Sequence, residues 1–133
     1  MTRVTTRWAD NDMYGHLNNA VYYELFDTAI NGWLIAGAGV DVMDLPELGL
    51  VAESGCRFLR ELEFPRPLDV GVRVERVGRS SITYALGLFD AQEVELAALG
   101  HWVHVYVDRS TRASVPIPAA VRAVVTGAEE ARA

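Results

Sequence analysis

The side chains best suited to chemistry lie in one stretch near the amino terminus, Asp10 to Asn19. Two carboxylates, an imidazole and several amides are crowded into these ten residues. A strand-like start (Arg3 to Trp8) precedes the stretch, and a helix-like run follows it. Because a helix start carries unpaired N–H groups and the positive end of a dipole, a carboxylate beside it can act on a carbonyl that these groups polarise. The pattern therefore predicts acid–base or nucleophilic chemistry at a helix start.

The element that must hold these groups is a long helix, predicted over Ala20 to Gly37. Either Asn18 or Asn19 can serve as its N-cap. About 17 residues at 1.5 Å each give a helix of roughly 25 Å, long enough to cross a small sheet. Apolar residues recur along it at four-residue spacing: Val21, Leu25, Ala29 and Trp33. This spacing predicts one broad face packed in the core.

Strands dominate the rest of the chain. Four of them are predicted, over Gly49 to Glu61, Val70 to Val77, Ile82 to Phe89 and Glu95 to Asp108. A short terminal helix (Pro118 to Val125) and a frayed tail (Thr126 to Ala133) are expected to follow. One helix set apart from a run of strands indicates the α+β class, with a curved antiparallel sheet packed on the helix. No linker or repeat divides the chain, so residues 1–133 are predicted to form a single domain.

The composition of the chain argues against several functional classes. The chain has 133 residues, a formal net charge of −6 and a single cysteine, Cys56. The acidic balance argues against non-specific nucleic-acid binding, and one cysteine allows no internal disulfide. Neither a signal peptide nor an apolar run of membrane-spanning length is found. We therefore expect a soluble cytoplasmic protein with no nucleic-acid or membrane partner.

Four motifs in order give the chain a family resemblance. Arg7 to Asn19, followed by Tyr22-Tyr23, resembles the amino-terminal signature of the hotdog-fold acyl-CoA thioesterases of the 4-hydroxybenzoyl-CoA thioesterase type. Later segments are also similar to that family: Arg57-Phe58, Gly78 to Ser81 and Gly100 to Asp108. The resemblance extends from about Thr2 to Arg122.

The resemblance implies a fold, an assembly and an active site. The fold would be a curved antiparallel sheet around one long helix, and the assembly a homodimer or homotetramer with active sites at the dimer interface. Asp12 matches the family's catalytic carboxylate. Gly15 to Asn19 would form the turn into the helix, and the backbone N–H at about Asn19 would point at the thioester oxygen. Arg79, Ser80 and Ser81 fall where family members often contact the nucleotide end of coenzyme A.

Thioester hydrolysis needs a polarised carbonyl, an activated nucleophile and a place for developing negative charge. A helix-start amide supplies the first and third, and Asp12 supplies the second, as general base or as the nucleophile that forms a mixed anhydride. Neither route needs a metal or an organic cofactor. His16 either orients the loop or contacts the substrate, or it fixes the turn by hydrogen bonding to a neighbouring backbone group. Asn18 and Asn19 are expected to cap the helix, and Asp10 to be a structural acid.

Three other polar residues, His101, His104 and Arg79, have structural interpretations. His101 and His104 lie three apart on a strand, so they face opposite sides of the sheet. The face shared by Trp102, His104 and Tyr106 is expected to be a half-exposed sheet surface or a subunit contact. Arg79 is either a solvated hairpin arginine or a phosphate clamp.

Three alternatives to hydrolysis were weighed. A calcium loop starting at Asp10 fails because Tyr14 and Val21 stand where ligands are needed. Hotdog-fold enoyl-CoA hydratases use an Asp and a His separated by four residues, whereas three separate Asp12 and His16. A non-catalytic acyl-CoA or acyl-carrier binding protein is the third alternative, and Asp12 beside a helix start argues against it. The sequence leaves open the acyl group, and the choice between coenzyme A and an acyl-carrier protein.

Overall fold

The computed structural model describes residues 1–132, with side chains through residue 129. Its helices and strands are, in chain order, β1 (Thr2–Val4), α1 (Asn19–Ala38), β2 (Glu47–Phe58), β3 (Leu68–Val77), β4 (Ser81–Asp90), β5 (Glu95–Asp108) and α2 (Ala119–Arg132). All strand pairs are antiparallel, in the order β1-β3-β4-β5-β2. This arrangement confirms the predicted α+β class and the predicted curved sheet packed on one long helix. Neither described helix is both long and apolar enough to cross a bilayer.

Helix α1 has a defined cap at each end. The side chain of Asn18 accepts a hydrogen bond from the N–H of Ala20 at 2.9 Å, so Asn18 is the N-cap and Asn19 is the first helical residue. At the other end Gly39 adopts a left-handed conformation (φ 71°), and its N–H donates to the carbonyl of Ile35. A glycine takes this conformation without steric strain, which explains why the helix stops there.

The core lies between α1 and the inner face of the sheet. Every second residue of β4 from Ile82 to Asp90 is buried, as expected for a strand with one covered face. Phe26 of α1 is fully buried and sits so close to β5 that a Cβ on Gly100 would lie 2.8 Å from its ring. The long helix therefore packs directly on the middle of the sheet.

The β5 face formed by Trp102, His104 and Tyr106 corrects one expectation. We expected a half-exposed surface or a subunit contact, but each of these residues is at most 4% exposed. The rings of Tyr23 and Phe26, both on α1, pack against Trp102. The sheet curves around the helix, so this strand face is closed over by α1.

The two ends of the chain also differ from the prediction. Strand β1 ends at Val4, whereas strand was expected as far as Trp8, and residues Trp8–Asp10 form a single 3-10 turn. Helix α2 continues to Arg132, where fraying was expected from residue 126 onward. Val121 and Val125 are fully buried, and this apolar stripe holds α2 against α1 and β3. Ala133 lies outside the described residues.

Candidate active site

Asp10 anchors the polar loop that leads into α1. The residue is 4% exposed, and its carboxylate accepts hydrogen bonds from the Arg7 backbone N–H and guanidinium, both at 2.7 Å. Its carbonyl accepts from the N–H of Asn18 at 2.9 Å, which ties the start of the loop to its end. These contacts make Asp10 a structural acid, as the sequence predicted.

The Arg7–Asp10 pair should make folding sensitive to acid. Hydrogen bonding to Arg7 lowers the pKa of Asp10 below its usual value. The pair's contribution to the free energy of unfolding is therefore complete above the unfolded-state pKa of Asp10, about 3.9. It is lost as pH falls through the lower pKa of the folded state. We expect wild type to exceed Asp10→Asn in thermal midpoint at neutral pH, with the gap closing in strong acid. A gap independent of pH in a thermal melt series would contradict this account.

Asp12 is held at the tip of the same loop. Its carbonyl accepts from the N–H of Gly15 at 3.1 Å, and Gly15 has φ 83°, a conformation that favours glycine. One carboxylate oxygen accepts from the N–H of Tyr14 at 2.8 Å. The other lies 3.6 Å from Nδ1 of His16, and the side chain is 21% exposed. One oxygen thus fixes the orientation of the carboxylate, and the other faces the imidazole of His16.

His16 lies between two carboxylates. Its Nδ1 faces Asp12, and its Nε2 is 3.7 Å from a carboxylate oxygen of Glu61. Both separations are longer than a hydrogen bond, so the imidazole has room to move toward either acid. The arrangement fits a residue that orients the loop and the Asp12 carboxylate, which was one of the two predicted roles.

The start of α1 supplies a free backbone donor next to His16. Asn18 satisfies the N–H of Ala20, whereas the N–H of Asn19 is at the first helical position and has no acceptor within the helix. Asn19 is exposed, so a ligand can reach this end of the helix dipole. Gly15 and Asn18 shape the backbone around the donor.

Removing the cap should weaken the helix start. We expect Asn18→Ala to lower the free energy of unfolding by about 1 kcal/mol, because the N–H of Ala20 loses its acceptor. Chemical denaturation measures the change, and Asn18→Ser, which can still cap, should recover most of it. Equal losses in the alanine and serine variants would show that the cap bond is not the cause.

A cavity of about 310 Å³ opens beside this donor. It is lined by His16, Leu17, Asn19, Tyr22, Phe58, Leu59, Arg60 and Glu61. The segment from Phe58 to Glu61 was not predicted as part of the site, because we expected β2 to continue to Glu61. Instead β2 ends at Phe58, and the next two N–H groups both donate to the carbonyl of Ala97. No local pattern reveals such a turn, because the acceptor is on β5.

The predicted coenzyme A contacts lie at the other end of the sheet. Ser81 pairs with Val105, whereas the site is beside the Asp90–Glu95 end of the same strands. Nine strand steps of about 3.4 Å separate the two ends by roughly 30 Å. Within one chain, therefore, the structure does not bring Arg79, Ser80 and Ser81 together with Asp12. Among the described residues, no group of three or more His, Cys, Asp or Glu side chains could hold a metal ion.

Comparison with known proteins places this geometry in a family. The family model described as the thioesterase-like superfamily matches residues 6–125. The PA5185 protein from Pseudomonas aeruginosa is 41% identical, with 96% of this chain and 90% of that chain covered and a TM-score of 0.92. No curated protein matches this chain in sequence.

Two more distant structures share the fold. The 1,4-dihydroxy-2-naphthoyl-CoA thioesterase Slr0204 from Synechocystis is 13% identical, with 93% of each chain covered and a TM-score of 0.86. The SAV2348 protein from Staphylococcus aureus, solved in complex with CoA, is 17% identical, with 96% of this chain and 82% of that chain covered and a TM-score of 0.87.

Proposed function

This chain belongs to the thioesterase-like superfamily, and we propose that it hydrolyses an acyl-CoA thioester to the free acid and coenzyme A. The observation that carries the proposal is an oriented carboxylate, Asp12, in the loop that leads to a helix start, where the N–H of Asn19 has no acceptor within the helix. His16 connects them, since it faces Asp12 and lines the same cavity as Asn19. Acyl transfer needs these two groups around one carbonyl.

In the proposed mechanism the thioester oxygen receives a hydrogen bond from the N–H of Asn19. Asp12 either removes a proton from a water that attacks the carbonyl, or attacks it directly to form a mixed anhydride that water then hydrolyses. In both routes the carbon–sulfur bond breaks, the thiolate of coenzyme A leaves and takes up a proton, and water supplies the new oxygen of the acid. The N–H of Tyr14 holds one oxygen of the Asp12 carboxylate, and the imidazole of His16 faces the other.

The substrate class is supported by fold and motif. The Synechocystis relative is a thioesterase for an aryl-CoA, and the Staphylococcus aureus structure contains CoA, so this fold serves such ligands. The Asp10-to-Asn19 signature resembles the 4-hydroxybenzoyl-CoA type. We therefore propose an aryl or fatty acyl-CoA as substrate.

We also propose that two copies pair through β2, with an active site at each end of the interface. β2 is at the edge of the sheet, and Leu50, Val51 and Phe58 on it are between 40% and 46% exposed. An edge strand of twelve residues that exposes large apolar side chains invites a second strand. Antiparallel pairing would set the Glu47 end of one copy beside the Phe58 end of the other.

Such pairing would explain the predicted coenzyme A contacts. The hairpin of Arg79, Ser80 and Ser81 is at the Glu47 end of the sheet, because Ser81 and Glu47 both pair with the last residues of β5. A twofold axis through β2 would place one copy's hairpin at the end of the dimer that carries the other copy's Asp12. We propose that these residues contact the nucleotide of coenzyme A from the opposite subunit.

A thiol-release assay tests the proposed activity. Purified protein is incubated with short, medium, long-chain and aryl-CoA thioesters and with matched acyl-carrier thioesters. Enzyme-dependent release from CoA thioesters is the expected result. Thiol release only from the acyl-carrier thioesters would show that the substrate is carried by an acyl-carrier protein and not by coenzyme A. Release from neither class of thioester would overturn the proposal.

A further inference from the structure

A second cavity lies under the carboxyl-terminal half of α1, separate from the one beside His16. Its volume is about 60 Å³, which is room for a few water molecules or one small polar group. Asn31, Glu47, His104 and Tyr106 supply its polar lining, and aliphatic side chains complete the walls. No step of the proposed hydrolysis uses these residues.

His104 is the unusual member of this lining. It is 3% exposed, and its Nδ1 is sealed from solvent and lacks a hydrogen-bond partner among the described residues. Burial lowers its pKa, so the imidazole is neutral and carries one N–H. An orphaned buried N–H is rarer in proteins than an orphaned acceptor. We therefore assign the proton to Nε2, which leaves a donor for a group in the cavity.

The charges around this cavity disfavour an anion. Glu47 lines it, and the charge of Asp27 acts on His104 strongly enough to oppose the lowering of its pKa. A carboxylate or phosphate would meet the carboxylate of Glu47 and a neutral imidazole in the cavity wall, whereas the guanidinium of Arg109 is engaged by the carbonyls of Met43 and Leu45. A neutral oxygen, such as a hydroxyl or carbonyl, can accept from the Nε2–H without that repulsion.

The cavity is far from the active site of its own chain. Twelve residues of helix, about 18 Å at 1.5 Å each, separate Asn19 from Asn31, and the contact between the rings of Tyr23 and Trp102 lies between them. In the proposed β2-paired dimer, by contrast, antiparallel pairing would set the Glu47 wall of one copy beside the Phe58 wall of the other copy's site. The active site nearer to the cavity would then be the other subunit's.

We propose that this cavity binds a neutral oxygen substituent at the far end of the acyl group that the opposite subunit hydrolyses, with His104 donating the hydrogen bond. The inference rests on the proposed function and narrows its substrate class to hydroxy- or oxo-acyl thioesters. His104 is then a specificity-determining residue.

Matched substrates test the specificity. We expect wild type to show about tenfold higher kcat/KM for CoA thioesters with a terminal hydroxyl than for unsubstituted ones of equal length, the value of roughly one hydrogen bond. In His104→Phe the ratio should fall to near one. Tyr84→Phe is the control. It removes a buried hydroxyl that also lacks a hydrogen-bond partner among the described residues, and the Tyr84 ring packs against His104 without lining the cavity. Equal ratios in wild type and His104→Phe would overturn the proposal.

Mixed dimers test the assignment to the opposite subunit. Dimers are assembled with Asp12→Asn in one subunit and His104→Phe in the other, so that the only intact Asp12 is on the chain with the altered cavity. If the cavity serves the opposite site, the preference for the hydroxylated thioester persists. Loss of the preference would show that each cavity serves its own chain.

A binding measurement keeps the proposal independent of turnover and of how His104→Phe folds. Isotope-labelled Asp12→Asn protein is titrated with both thioesters, and the imidazole nitrogen signals of His104 are followed by NMR. We expect the Nε2-protonated form and a shift with the hydroxylated thioester alone. That shift without hydrolysis by wild type would overturn the proposed function and support the cavity, whereas hydrolysis with no shift would overturn the cavity alone.

Discussion

Replacing Asp12 by asparagine is expected to lower kcat for thioester hydrolysis by about 100- to 10,000-fold, the usual contribution of a positioned proton-transfer group. Asparagine keeps an oxygen that can accept from the N–H of Tyr14, so the loop should keep its shape. The amide can neither take a proton from water nor attack the carbonyl. The dissociation constant for the intact thioester should therefore change little, and binding and stopped-flow turnover measure the two effects separately.

Asp108→Asn is the matched control for this substitution. Asp108 accepts from the backbone N–H two residues ahead at 2.9 Å, the same local arrangement that Asp12 makes, at the end of β5. Because no chemical role is assigned to Asp108, loss of an acid in that arrangement should leave kcat within about twofold. Normal turnover by Asp12→Asn would remove Asp12 from the mechanism.

A charge on the β2 edge is expected to separate the subunits and remove activity together. Val51 is 46% exposed and close to the centre of the strand. A twofold axis through the centre of β2 would bring Val51 of one copy near Val51 of the other. In Val51→Arg two arginines would meet across the axis, and like charges opposite each other on paired strands are destabilising. We expect a monomer by sedimentation and at least about 100-fold less activity, because displaced binding groups cost that much.

Val94→Arg provides the comparison. Val94 is 79% exposed in the β4–β5 connection, so the substitution adds the same charge away from the β2 edge. It should leave the mass in solution unchanged. A Val51→Arg monomer with full activity would contradict a site shared between subunits, and an undisturbed dimer would place the interface elsewhere.

Local sequence signals were sufficient to predict most of the fold. The four-residue spacing from Val21 to Trp33 predicted α1 to within two residues. Alternation predicted β3 to similar accuracy, and β4 and β5 were also predicted as strands to within two residues. Local sequence signals failed where tertiary contacts determine the burial of a residue or the length of an element. The burial of His104 depends on how tightly the sheet closes over α1, and the length of α2 depends on its packing against α1 and β3.

The candidate site was predictable where it is contiguous in sequence. Asp12, His16 and Asn19 lie within eight residues, and a helix cap is visible in the chain itself. The turn from Phe58 to Glu61 was not predictable, because its N–H groups bond to Ala97, far along the chain. The position of the Arg79 hairpin was not predictable either. The family resemblance assigned it to coenzyme A, but it lies at the far end of the sheet from Asp12 of the same chain.

The most direct test of the central claim is product analysis by mass spectrometry, with an acyl-CoA incubated in water labelled with the heavy oxygen isotope. Hydrolysis predicts unlabelled coenzyme A and a free acid that carries one labelled oxygen, and both should disappear in Asp12→Asn. An enoyl-CoA that gains the elements of water while its thioester stays intact would instead indicate a hydratase. Unchanged acyl-CoA throughout the panel would contradict thioester hydrolysis and indicate a binding protein.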